Sequence, residues 1–158
     1  MIVRIAYTVF IGILLATFVG VGIAAFYPSP KPPEYPIELT KLRPVVGGEQ
    51  QYTPEEVQKQ QENEKAQREF QKQSQIYNKN VSIIAVSASV IILTITLVFL
   101  GKILFLADGL ILGGVLTLLY SIIRGFQSQD EMFRFIVVSI DLVIALFLGY
   151  VKFIKSKK

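Results

Sequence analysis

The sequence predicts an all-α integral membrane protein with four transmembrane helices, an extracytoplasmic Pro-rich linker and an extracytoplasmic polar helix. Of its 158 residues, 52% are hydrophobic and only 18% are charged, and the apolar residues are concentrated in four runs. Each run approaches the roughly 20 residues that an α-helix needs to cross a hydrocarbon core of about 30 Å. The predicted spans are residues 5–27, 81–100, 103–123 and 135–151.

The first span lies within residues 1–27 and follows the basic residue Arg4. The small residues around Ile23 suggest the cleavage site of a secretory signal. The apolar run, however, is much longer than the stretch of about 7 to 15 residues found in such signals. We therefore expect a retained membrane anchor.

Residues 28–52 form a predicted linker, because all seven prolines of the chain lie between Pro28 and Pro54. Proline lacks a backbone donor and restricts φ, which favours an extended, polyproline-like connector. A stiff spacer is the simplest interpretation, and a PxxP ligand for a partner domain is the alternative.

A polar helix is predicted over residues 53–80. Thr53 suits the N-cap, Pro54 suits the first helical position, and Glu56 completes a capping box. Asparagines such as Asn78 are weak helix formers. The sequence therefore leaves open whether this helix continues into the second span.

The apolar residues of the polar helix allow two kinds of association. Phe70, Tyr77 and Ile84 recur every seven residues, which fits a self-associating coiled coil. Asn63 and Gln73 interrupt a full heptad seam. The alternative is a helix covered by solvent or by a protein partner.

The distribution of basic residues predicts the orientation, because short cytoplasmic segments carry an excess of Lys and Arg. Arg4, Lys102 and the tail would share one side of the membrane. We therefore expect both termini in the cytoplasm and residues 28–80 outside it. The lysines of the tail are predicted to contact anionic lipid headgroups, and they are Lys152, Lys155, Lys157 and Lys158.

Small residues recur at helical spacing in three of the spans. Lipid tails are as apolar as leucine, so membrane helices associate through close contacts and polar bonds. These stripes predict tight packing within one chain, between copies of the chain, or both. The predicted packing residues are Gly12, Ala16, Gly20, Ala24, Gly109, Gly113, Ala145 and Gly149.

Two carboxylates, Asp108 and Asp141, lie inside predicted spans, in opposite halves of the membrane. Such residues normally face a bundle interior, a water-filled cavity or a polar partner. No basic residue lies within a predicted span. We interpret Asp108 and Asp141 as stations on a cation or proton path, with Asp141 as the principal one. Asp141 would act either singly or as part of a ring of carboxylates from several subunits. The alternative is that each reaches headgroup water or bonds a serine or threonine.

The composition excludes several classes of chemistry. The chain has no histidine and no cysteine, so it offers no thiolate nucleophile, no Ser-His-Asp triad, no Cys/His zinc site and no conventional haem or iron–sulfur ligands. Its net charge of +4 reflects the lysine-rich tail and not the distributed basic face of a nucleic-acid binder. We predict no enzyme activity, cofactor, metal or nucleic-acid partner.

The sequence favours a homo-oligomeric channel or transport-type protein for cations or protons. The alternative is a non-transporting scaffold or accessory subunit, anchored by its spans and bound to a partner through the polar helix. Transport predicts that Asp141→Asn abolishes flux, whereas the scaffold hypothesis predicts a mild effect of that substitution.

Overall fold

The computed structural model describes residues 2–34, 54–99 and 104–154. Within these residues the chain forms four α-helices, followed by a π-helical turn at Tyr150–Ile154. The helices are α1 (Ile2–Phe26), α2 (Pro54–Phe99), α3 (Leu104–Gln127) and α4 (Glu131–Gly149). Each contains a stretch that is long and apolar enough to cross a membrane. The prediction of four helices that are long and apolar enough to cross a membrane is thus confirmed for the described part of the chain.

The predicted polar helix and the second predicted span are one helix, α2. Asn78 and Asn80 lie within this helix without interrupting it, and their side chains bond to residues elsewhere in the bundle. Asn80 Nδ2 donates to the Tyr27 hydroxyl at 2.8 Å, and Asn78 Oδ1 accepts from Arg124 at 3.1 Å. These side-chain amides therefore have tertiary partners and do not compete with the helical backbone.

Residues 28–34 of the predicted linker have no helix or strand. Pro33 and Glu34 line a shallow hollow together with Lys59 and Ala66 of α2. The remainder of the predicted linker, with the predicted N-cap Thr53, lies outside the described residues.

The chain divides into two compact units. One comprises Met1–Ser29 and Gln75–Lys158, and its helices are called the bundle below. The other comprises Pro30–Ser74. In that unit Glu64 and Arg68 form an exposed ion pair of 3.4 Å across one helical turn, an arrangement worth only a few tenths of a kcal/mol (~0.3–0.5).

In the bundle, α3 is central and contacts the other three helices. α1 runs parallel to α3 at close range: a Cβ built on Gly113 would lie 2.7 Å from Leu15 Cδ2 and 3.1 Å from the Gly12 carbonyl oxygen. α2 runs antiparallel, and the Ser89 hydroxyl donates to the Gly114 carbonyl at 2.8 Å. α4 is also antiparallel to α3. Small residues on α3 permit these short distances between helices.

Two apolar clusters join the helices of the bundle. One joins α1 to α2 through Ile23, Tyr77 and Val81. The other joins α2, α3 and α4 through Leu93, Leu118 and Leu148. The end of the bundle with the turn between α3 and α4 is called the turn end, and the opposite end is called the tail end.

The turn end is closed by aromatic and charged side chains. The rings of Tyr27 and Tyr77 stack with their centroids 5.2 Å apart. The Arg124 guanidinium lies 5.8 Å from the Tyr77 ring centroid and 5.3 Å from that of Tyr120. These cation–π contacts connect α3 to the stacked pair.

An ion pair fixes the α3–α4 turn to α2 at the same end. Lys79 Nζ lies 2.5 Å from Asp130 Oδ2. Asp130 is also the N-cap of α4, because its Oδ1 accepts from the Phe133 N–H at 3.0 Å. The hydrogen bond from Lys79, followed by that from Phe133, lowers the pKa of Asp130 below its usual value.

Candidate functional site

A column of buried polar side chains runs through the bundle interior and is called the polar column. Each described member is at most 6% exposed. From Asn78 to Thr96 on α2 it extends about 27 Å at the 1.5 Å rise of an α-helix. Its members are Asn78, Ser82, Ser89 and Thr96 on α2, Thr117, Ser121 and Ser128 on α3, and Asp141 on α4.

Asp141 is the ionisable member of the polar column and is 4% exposed. The Ser121 hydroxyl lies 2.7 Å from Asp141 Oδ2. Asp141 Oδ1 is buried and has no hydrogen-bond partner among the described residues. The carboxyl group is therefore held by one oxygen, while the other is left unsatisfied.

Ser121 brings three helices together beside this carboxyl group. Its backbone carbonyl accepts from the Ser82 hydroxyl of α2 at 2.8 Å. Its side-chain oxygen lies 2.7 Å from the Leu118 carbonyl of its own helix, in addition to Asp141 Oδ2 of α4. The site is thus built from one small polar residue on each of α2 and α3 and one carboxyl group on α4.

Other hydroxyls of the polar column bond to their own helices. Thr117 donates to the Gly113 carbonyl at 2.8 Å, and Thr96 donates to the Ile92 carbonyl at 2.7 Å. Such bonds satisfy a hydroxyl locally without a partner on another helix. Their oxygens retain lone pairs that accept a further hydrogen.

Asp108 lies in a different environment at the tail end. Its Oδ1 is 2.5 Å from Lys152 Nζ, and the two side chains are 45% and 30% exposed. No basic residue lies within the predicted spans, but antiparallel packing brings Lys152, just past the end of α4, beside Asp108 near the start of α3. The predicted contact of Lys152 with lipid headgroups stays a prediction. Lys155, Lys157 and Lys158 lie outside the described residues.

The predicted packing residues have different surroundings. Gly12, Gly109 and Gly113 lie at the α1–α3 contact, where an added Cβ would come within 3 Å of a neighbouring side chain. A Cβ on Gly20 or Gly149 would have no such neighbour within 4 Å. Ala16 is partly exposed, and Ala24 and Ala145 are exposed.

Ser82 and Ser121 were not predicted as site residues. Each belongs to a visible stripe in the sequence: Ser82 repeats with Ser89 at an interval of seven, and Ser121 follows Thr117 and Gly113 at intervals of four. The stripes indicate which helix face packs, but they do not indicate which stripe meets Asp141.

Comparisons with protein families, with characterised proteins and with solved structures find no match to this chain.

Proposed function

We propose that this chain is a homo-oligomeric channel or transport-type membrane protein for protons or small cations, with Asp141 as its principal polar station. The observation that carries the proposal is the burial of Asp141 in the bundle with Oδ1 unpartnered among the described residues. An ionisable group in this position is costly in a membrane and is most often retained for an ion or proton pathway.

The polar column supports a path that extends beyond the carboxyl group. Its buried members on the turn-end side of Asp141 include Ser128 and Asn78, and those on the tail-end side include Thr117 and Thr96. Hydroxyl and amide oxygens accept hydrogen bonds from a migrating proton carrier or coordinate a small cation. In this proposal Asp108 is a second station, and its ion pair with Lys152 opens when the transported ion passes.

Self-association is supported by small residues that have no close packing partner among the described residues. Gly20 on α1 and Gly149 on α4 have open space beside them. Ala24 and Ala145, one helical turn away from these glycines, are exposed. In our proposal these stripes contact another copy of the chain, because small residues allow membrane helices to approach closely.

The proposed orientation places both termini in the cytoplasm and the turn end outside it. It is tested by introduced cysteines, which are unique because the chain has none of its own. A membrane-impermeant thiol reagent added to intact cells is expected to label a cysteine at Glu62 and to leave one at Ser156 unlabelled. The reverse pattern would invert the topology.

The decisive test of transport is flux in proteoliposomes that contain the full chain. Proton, sodium and potassium gradients are imposed separately on the wild type, on Asp141→Asn and on Asp108→Asn. We expect Asp141→Asn to abolish flux and Asp108→Asn to retain a measurable part of it. The oligomeric state of each variant is measured in the same preparation. The absence of flux in the wild type under every gradient and voltage would refute transport.

A second candidate function is a membrane-anchored scaffold or accessory subunit. It is favoured by the polar first part of α2, where Glu55, Gln58, Lys65, Arg68 and Lys72 are all exposed. A surface of this kind suits a protein partner that carries charge and amide groups. In this alternative, the spans act only as an anchor.

The scaffold hypothesis is tested by substitutions that leave the bundle intact. Gln75, Tyr77, Asn78 and Lys79 make contacts in the bundle, so variants should stop at residue 74. We expect reversal of the charges at Lys65, Arg68 and Lys72 to abolish crosslinks from this helix to a second protein while the thermal stability of the bundle is unchanged. Crosslinks that persist in this variant would contradict the scaffold hypothesis.

A further inference from the structure

We infer that the species held at Asp141 is a proton, carried on Oδ2 and donated in a hydrogen bond to Ser121 Oγ. This inference rests on the proposed function, because it names the species bound at the same site. It follows from the number of hydrogens available around Ser121 and from the unpartnered second oxygen of the carboxyl group.

The first argument is a count of hydrogens. Ser121 Oγ lies 2.7 Å from Asp141 Oδ2 and 2.7 Å from the Leu118 carbonyl oxygen. Both of these oxygens accept hydrogen bonds when Asp141 is ionised, yet a hydroxyl group has only one hydrogen to donate. One of the two short contacts would then lack a hydrogen of its own.

A proton on Asp141 resolves this shortage. Its Oδ2–H donates to Ser121 Oγ, and the Ser121 hydroxyl donates to the Leu118 carbonyl. Every short oxygen–oxygen contact of Ser121 Oγ then contains one hydrogen. Ser121 acts as a positioning residue, because it supplies the acceptor that orients the proton.

The second argument concerns Asp141 Oδ1, which is buried and has no partner among the described residues. In an ionised carboxylate this oxygen carries about half of the negative charge, and burying such a charge without a partner is very costly. In the protonated acid Oδ1 is a neutral carbonyl oxygen. Its missing hydrogen bond then costs far less.

The ion pairs formed among the described residues do not include Asp141. Lys79 pairs with Asp130, and Arg124 bonds to Asn78 and Tyr120. Arg134 lies over the Phe126 ring, and its Nε is buried without a hydrogen-bond partner among the described residues. The described titratable groups toward the turn end are Tyr27 after α1, Tyr77 and Lys79 on α2, Tyr120 and Arg124 on α3, Asp130 in the α3–α4 turn, and Glu131 and Arg134 on α4.

Release of the proton requires only that the Ser121 hydroxyl group changes its orientation. The proton passes from Oδ2 to a water molecule on the path and leaves a carboxylate and a hydronium ion. The Ser121 hydroxyl hydrogen then turns from the Leu118 carbonyl to Oδ2. The same two side chains therefore hold both states of the site.

The test is infrared spectroscopy of the full chain in lipid bilayers at neutral pH. Aspartate labelled with ¹³C at its carboxyl carbon limits the isotope-shifted signal to Asp108, Asp130 and Asp141. A protonated carboxyl group gives a C=O stretch that is well separated from the carboxylate bands. We expect this labelled band in the wild type and in Asp108→Asn, and its loss in Asp141→Asn.

Ser121→Ala provides a second measurement that does not alter the carboxyl group. We expect the labelled C=O band to persist but to move to higher frequency, because the acid loses its hydrogen-bond acceptor. Ser121→Thr is expected to restore the wild-type frequency. A band that is identical in wild type and Ser121→Ala would overturn the assigned hydrogen bond.

The result also separates this inference from the transport proposal. Labelled aspartates that are all ionised at neutral pH, in a protein that conducts sodium or potassium, would overturn the proton assignment and leave transport standing. A protonated Asp141 in a protein without flux would support the proton assignment and refute transport.

Discussion

The two aspartates within the membrane-spanning helices occupy contrasting sites. Asp108 lies near the tail end, where its carboxylate contacts Lys152 and its side chain is 45% exposed. Asp141 lies inside the bundle, is 4% exposed and has one serine as its polar partner. About 20 Å of helix axis separates Asp108 from Ser121, the partner of Asp141, at 1.5 Å per residue.

The contrast shows that distance from a helix end decides how a carboxylate is accommodated. Near an end, a long lysine side chain reaches the carboxylate while its own stem remains in apolar surroundings. In the interior, a small hydroxyl group is the partner that Asp141 has, and a buried lysine there would add the cost of desolvating a second charge. The first arrangement neutralises charge, and the second favours a group that binds and releases a proton.

The largest effect on stability is expected where α1 packs against α3 in the bundle interior. Gly113→Ala places a Cβ near Leu15 and the Gly12 carbonyl, and is expected to destabilise the bundle by about 1 to 3 kcal/mol. Gly22→Ala on α1, at a glycine outside the proposed self-association stripes, has open space and is expected to be neutral or stabilising by up to about 1 kcal/mol. Thermal unfolding in detergent compares them. Equal effects would contradict the close contact at Gly113.

Truncation of each aspartate tests the contrast directly. Asp141→Ala removes a buried hydrogen bond and leaves a small cavity, so we expect a loss of about 1 to 2 kcal/mol. Asp141→Asn is expected to lie close to the wild type, because its amide can donate to Ser121 as the protonated acid does. Asp108→Ala is expected to cost less than about 1 kcal/mol. A greater loss in Asp108→Ala than in Asp141→Ala, again by thermal unfolding, would reverse the comparison.

A double-mutant cycle sharpens the description of the tail-end pair. Asp108→Asn and Lys152→Gln are measured singly and together, and we expect a coupling energy below about 1 kcal/mol because both side chains are partly exposed. The coupling should decline as salt concentration rises. A coupling that is unaffected by salt would indicate a pair shielded from solvent.

The smallest effect is expected from Asp130, whose partner Lys79 also lies near the end of the bundle. The pKa of Asp130 is lower in the folded chain than in the unfolded chain. Its contribution is therefore present above the usual aspartate pKa, about 3.9, and is lost as the pH falls through the folded value. Stability should decline in acid below about pH 4.

Asp130→Asn is the matched variant for this pH dependence. Asparagine remains a good N-cap for α4, so only the charge is removed. We expect the unfolding temperature of this variant to depend less on pH below about 4 than that of the wild type. The same acid sensitivity in both proteins would show that other carboxylates are responsible.

The helices could be predicted from sequence because each depends on its own residues. The spacing of apolar residues defines four spans, and the described residues contain four helices that are long and apolar enough to cross a membrane. The end of the polar helix could not be predicted, since Asn78 and Asn80 are weak helix formers, yet in α2 each has a side-chain partner elsewhere in the bundle. Local propensity contains no information about such a partner.

The candidate site was likewise predicted only in part. A carboxylate within an apolar run is visible in sequence, so Asp108 and Asp141 were identified as the residues that need an explanation. Their partners Lys152 and Ser121 were not identified, because each lies on a different helix.

The sequence by itself determined the class of the protein, its four spans and the two costly carboxylates, because hydrophobicity, length and charge are properties of single segments. The tertiary structure decided that Asp108 is neutralised by Lys152 and that Asp141 is buried against Ser121. Helix direction and contact register set those pairings, and they are fixed only when the helices pack together.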